Sequence, residues 1–195
     1  YALLIVEVEG SDEEMDAMLD RIIEIAKRHG VSTIKESQSA TEAALIWKGR
    51  KSAFGATGRI ADYICMDGTV PLGQLSHVLK ETSVIVAKYG LRVANVFHAG
   101  DGNMHPLILF NANDPEEAHK AELAGNDILK LCVDAGGCLT GEPGAGVDKR
   151  DLMTHQYAPE DLEAQMAIKD VFDPKWLLNP AKVFPLASSD ARRVA

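Results

Sequence analysis

With 195 residues the chain is long enough for one substantial core, or for two small lobes. Apolar residues make up 46% and charged residues 25%, which excludes disordered and fibrous classes. A net charge of −9 argues against nucleic acid or an anionic membrane surface as the main partner, because either calls for a basic patch. No apolar run approaches the ~20 residues that span a bilayer. The three cysteines, Cys65, Cys132 and Cys138, are odd in number, and Cys132 and Cys138 lack CxxC spacing. That usage fits buried thiols in a reducing, cytoplasmic setting rather than a disulfide framework or a zinc knuckle.

The chain opens at Tyr1, directly on a strand-like run, and reads as a piece of something longer. Ala2 to Val8 is apolar and β-branched and predicts a central strand. Ser11-Asp12-Glu13-Glu14 has the form of a capping box; the helix it opens carries Met15, Met18, Leu19, Ile22, Ile23 and Ala26 on one stripe and stops at Gly30. Val31 to Glu36 predicts a second strand. Ser39 to Glu42 is a second capping box, before a helix with Trp47 and the basic cluster Lys48, Arg50, Lys51. Ile60 to Met66 predicts a third strand, and Pro71 opens a helix that runs to about Tyr89 and is closed by Gly90.

Leu91 to Phe97 and Pro106 to Phe110 predict two strands meeting at a tight turn of Gly100, Asp101, Gly102 and Asn103. A long helix follows from Asp114 to about Ala135, then a short strand over Cys138 to Thr140 and the glycine-rich run Gly141 to Gly146. Pro159 to Phe172 has helical periodicity, and Trp176 to Pro185 reads as irregular. This order predicts an α+β fold, a ferredoxin-like antiparallel sheet with helices on one face, plus a C-terminal helical segment. One domain is expected over residues 1–186 and a loose tail over 187–195.

His98 and His105 stand at the two strand ends that face the tight turn, where two neutral imidazoles can reach one divalent cation. The same spacing fits two turn histidines bonded to backbone. Gly141 to Gly146 matches neither phosphate-binding pattern: no Gly-Lys-Ser/Thr closes it, and it lacks the third glycine of a dinucleotide fingerprint. What remains is Glu142, either a third metal ligand that leaves an open coordination position or a turn carboxylate accepting backbone N–H bonds. Arg50 carries a guanidinium suited to gripping a small carboxylate, unless it is simply solvated on its helix. Asn103 either stabilises the turn or orients a ligand.

Four motifs, NVFHAGDGNMHPLILF, TGEPGAGVDK, GRKSAF with DYICMDGTVP, and FDPKWLLNPAKVFP, occur in one order along the chain. Together they resemble the C-terminal cap domain of FAD-linked oxidases of the vanillyl-alcohol oxidase type, the glycolate oxidase D subunits above all, with D-lactate and D-2-hydroxyglutarate dehydrogenases more distant. The resemblance implies a cap over the flavin, with FAD bound mainly by an N-terminal half. It implies His98, His105 and Glu142 as ligands of a divalent metal such as zinc or manganese, and Arg50 as the grip on the carboxylate of a 2-hydroxy acid. It also places Asn179 against the flavin and has the substrate hydride pass to the flavin N5. Other oxidase subunits are implied partners, and with them a position peripheral to the inner membrane. One departure stands out. The family usually has Glu-His-Gly where this chain has Glu142-Pro143-Gly144, and that histidine is the family's presumed base. Proline has no titratable group, so the catalytic residue is left unassigned, and a non-catalytic metal-binding or subunit-interaction module is the rival expectation.

Overall fold

The computed structural model describes residues 2–185, so the expected tail over 187–195 lies outside the described residues. The chain divides into two compact units, Tyr1–Ala53 and Phe54–Ala195.

The first unit is built on two helices, α1 (Asp12–Arg28) and α2 (Ala40–Lys51). At the start of α1 the Glu14 carboxylate folds back onto Ser11, accepting from its backbone N–H at 3.0 Å and its hydroxyl at 2.7 Å. At the start of α2 the Ser39 hydroxyl accepts from Glu42 N, while the Glu42 carboxylate reaches past Ser39 to Gln38 N. The second box is therefore closed from one side only. Ala2 to Val8 and Val31 to Glu36 are not strands, which corrects the expectation for both. An apolar β-branched run becomes a strand only where a neighbour takes up its N–H and C=O groups. Among the described residues neither stretch has such a ladder, and Leu3 and Leu4 stand 88% and 72% exposed.

The second unit holds the sheet. A short helix α3 (Ala53–Thr57) leads to strands β1 (Asp62–Cys65) and β2 (Gly68–Thr69); a 3-10 turn then feeds α4 (Leu75–Lys88), which ends at Gly90. Strands β3 (Arg92–Asn95), β4 (Asn103–Met104) and β5 (Pro106–Phe110) follow, then α5 (Pro115–Asp134), α6 (Met153–Gln156) and α7 (Pro159–Phe172). Strand β5 lies between β1 and β3 and is antiparallel to both, so β1-α4-β3 is a split β-α-β unit with β5 filling its gap. Strands β2 and β4 form a second small antiparallel ladder. The expected strand at Cys138 to Thr140 shrinks to a single bridge, Thr69 to Cys138.

Register aligns Ile64, Ile108 and Val93 on one face of the sheet. That face meets the stripes Val78, Thr82, Val86 of α4 and Ala121, Ala124, Ile128, Cys132 of α5, spaced three to four residues apart and all nearly inaccessible. Helix α5 is anchored by Asp114, whose side chain accepts from Glu116 N and Glu117 N. Leu162 and Met166 of α7 and the Trp176 indole complete the same core. The α+β class with helices on the sheet therefore holds. The sheet is smaller than the sequence suggests because the two N-terminal runs do not join it.

Candidate functional site

The His98 turn grows from the β3–β5 pairing. Past Asn95 and Pro106 the two strands continue to a bridge between His98 and Asn103, and Ala99 to Gly102 close the loop. Gly102 takes φ +68°, and a Cβ there would run into the Val70 carbonyl, while the Val70 N–H donates to the Gly102 C=O at 2.9 Å. Only glycine fits. Directly after β4, His105 is buried, with its ring edge-on to His98 at 5.5 Å between centroids and to Phe54 at 5.8 Å.

Glu142 arrives from the other side on the turn after Cys138. His105 Nε2 lies 3.4 Å from Glu142 Oε2, and His98 Nε2 lies 3.9 Å from Glu142 Oε1. The two histidines and the carboxylate that the sequence singled out therefore face one small space. Glu142 and His98 are the open side of that space, and His105 is its closed floor.

A fourth group, Asp67, was not foreseen. It follows β1 and is buried, with Oδ1 3.3 Å from His105 Nε2. Its Oδ2 accepts from Gly141 N at 2.8 Å, Thr140 Oγ1 at 3.0 Å and Glu142 N at 3.2 Å. Lys149, also buried, donates through Nζ to the Asp67 carbonyl at 2.9 Å and reaches Oδ2 at 3.4 Å. Burial opposes ionisation of Asp67, but the two backbone N–H donors, the Thr140 hydroxyl and the ammonium outweigh it and hold the carboxyl below its usual range. For Lys149, burial wins over the attraction of Asp67 and lowers its pKa. One signal for Asp67 was available: it is the only charged residue between Ile64 and Pro71. Lys149 gave none, lying 82 positions away with no local pattern.

Asp67, His105 and Glu142 present donor atoms within 4.8 Å of one another. The chemistry of the set suits a divalent cation, and Asp67 Oδ1, buried on the side of His105 Nε2, has no hydrogen-bond partner. Asn103 lies against the same turn: a Cβ at Gly141 would come within 2.6 Å of its Oδ1, itself buried and unpartnered. Arg50 sits in the last turn of α2, in the first unit, with Nη2 buried and unpartnered. Asn179 takes φ +46° in the segment after α7 and lines a cleft of about 120 Å³ with Trp176, Lys182 and Phe184. Pro143 is exposed beside Glu142.

The family described as FAD linked oxidases, C-terminal domain, matches residues 1–183. Glycolate oxidase subunit GlcD of Escherichia coli K12 is 45% identical over 185 residues, covering 94% of this chain and 37% of that protein. GlcD of Bacillus subtilis is 32% identical, covering 98% and 40%, and the mitochondrial D-lactate dehydrogenase [cytochrome] of Kluyveromyces lactis is 29% identical, covering 92% and 32%. The chain thus spans two fifths or less of the length of these relatives. With the match running along nearly all of its residues, the chain belongs to the FAD linked oxidases, as their C-terminal domain.

Proposed function

We propose that this chain is the substrate-covering domain of a flavin-dependent oxidase or dehydrogenase of small, glycolate-like 2-hydroxy acids. The observation that carries the reading is the convergence of His98, His105 and Glu142 on one partly open space, in a chain of this family. A divalent cation, zinc or manganese, would be held by these three side chains and would polarise the substrate hydroxyl and carboxylate. FAD, bound mainly by a flavin-binding half of the same protein, would accept the hydride.

The chain's own residues then have distinct tasks. His105, packed edge-on between Phe54 and His98, keeps its ring in one orientation, so its Nε2 stays aimed at the Glu142 side. Arg50 offers a two-pronged grip for the substrate carboxylate, and its unpartnered Nη2 supports that assignment. Asn103 orients the bound acid through its free Oδ1, and Asn179 belongs to the segment turned to the flavin. Position 143 supplies no proton acceptor. Further oxidase subunits are the expected partners, as the word subunit in the GlcD name says of those relatives. No helix of the described residues is long and apolar enough to cross a membrane, and we place the protein in the cytoplasm, peripheral to the inner membrane if partner subunits hold it there.

Pro143 favours a second reading, a metal-binding or subunit-interaction module without turnover. Calorimetric titration of the full-length chain with zinc and with manganese, alongside His98→Ala and Glu142→Ala, tests the site: stoichiometric binding lost in both variants supports it, and binding indifferent to them overturns it. Turnover of glycolate and D-lactate by the full-length chain and by Pro143→His separates the two readings. A large gain on restoring histidine supports a weakened enzyme, whereas no turnover in either form supports the module.

A further inference from the structure

Glu142 is a poor ligand on local grounds. It sits in a run with glycine at 141, 144 and 146, its side chain is 60% exposed, and no strand ladder holds its backbone. A carboxylate on so free a turn loses conformational entropy when it binds anything. Yet the turn is fixed from below by one side chain, because Asp67 Oδ2 gathers Thr140 Oγ1, Gly141 N and Glu142 N. The Thr140 hydroxyl passes the restraint on by accepting from Gly144 N at 2.9 Å. Lys149 Nζ, bonded to the Asp67 carbonyl and close to Oδ2, supplies the countercharge that lets a carboxylate stay buried there.

We infer that Asp67 is a positioning residue of the metal centre, held by Lys149, which fixes the Thr140–Gly144 turn so that Glu142 meets His105 without further ordering. The inference rests on the metal reading above and adds to it a residue that acts through Glu142. It accounts for a buried Asp–Lys pair placed beside the site, where two apolar residues of similar size would serve folding as well.

The test is zinc titration of the full-length chain by calorimetry, with circular dichroism as the check on folding. Asp67→Asn keeps the side-chain size but presents an amide to N–H donors, and its zinc affinity is expected to fall about 10- to 100-fold, the range for groups that orient a ligand. Thr140→Val removes one bond to Oδ2 and the link to Gly144; its affinity is expected to fall about tenfold, at the lower end of that range. It carries the test if Asp67→Asn does not fold. In a Glu142→Ala background, where the histidines alone set a weaker affinity, adding either change is expected to alter binding less than twofold. If Glu142→Ala binds zinc as tightly as the unaltered chain, the metal reading itself falls and the inference with it. If Glu142→Ala loses zinc while Asp67→Asn and Thr140→Val keep full affinity, the positioning role is overturned and the metal reading stands. Equal losses in both backgrounds also overturn it, since Asp67 would then act independently of Glu142.

Discussion

Two turns build the candidate site, and they are held by different means. The His98–Asn103 turn continues a strand pair: the β3–β5 ladder, the His98–Asn103 bridge and the Gly102–Val70 bond fix its backbone before any side chain is consulted. The Thr140–Gly146 turn has almost no ladder beyond the bridge at Cys138, and its position depends on one buried carboxylate 74 residues upstream of Gly141. The first turn is held by backbone bonds, chiefly those of its own strand pair, and the second by a long-range side-chain contact. Their tolerance to mutation should differ accordingly.

The largest effect is expected where the second turn is cut loose. Asp67→Ala leaves the Lys149 ammonium buried without its countercharge, bonded only to the backbone carbonyl at position 67, and strands the Gly141 and Glu142 N–H groups, which should cost about 3–5 kcal/mol. Urea denaturation measures it, and a loss below about 1 kcal/mol would mean that the turn is held by something other than Asp67. For the first turn the sensitive point is backbone shape. Gly102→Val forces a β-branched residue to φ +68° with its Cβ against the Val70 carbonyl, and a cost of about 1–3 kcal/mol is expected. An unchanged denaturation midpoint would show that this loop can open without penalty.

The same contrast explains what the sequence disclosed. Two apolar runs around Gly-Asp-Gly-Asn announce a hairpin because turn chemistry and strand periodicity are local, and His98 and His105 were found with it. Glu142 was found as the one carboxylate in a glycine-rich run. Asp67 and Lys149 were not, because nothing within a few residues of either tells that they meet. The helices α1, α4, α5 and α7 were readable from their caps and stripes. Ala2 to Val8 and Val31 to Glu36 were misread for the opposite reason: composition favours a strand there, but a strand exists only through a partner, and composition does not name one.

In the proposed site, Glu142 would separate metal binding from folding within the second turn. Its side chain is mostly solvated, and the turn is anchored through its backbone N–H, which every residue but proline retains. Glu142→Ala should therefore shift stability by no more than about 0.5 kcal/mol while markedly weakening zinc binding. A destabilisation comparable to that of Asp67→Ala would refute this division and make the carboxylate itself part of the fold.

A third irregular segment, after α7, repeats the second turn's solution. Asp173 accepts from Leu177 N at 3.0 Å and Leu178 N at 2.9 Å, and Lys169 Nζ lies 2.8 Å from its Oδ2, so one buried carboxylate again pins a stretch without a ladder. The Lys169 bond, helped by the two N–H donors and opposed by desolvation, lowers the pKa of Asp173 from its ordinary 3.8. A carboxyl whose folded pKa is depressed adds stability that is complete above the unfolded value and is lost as pH falls through the folded one. Stability should thus decline on acidification from near pH 4 downwards, and Asp173→Asn should remove that part of the decline while leaving the neutral-pH curve lower but flatter. Acid titration of the denaturation midpoint for the two chains checks this. If Asp173→Asn follows the unaltered chain in parallel down to the lowest pH, the proton is taken up elsewhere, and the segment carrying Asn179 is not held by its carboxylate in the way the Glu142 turn is held by Asp67.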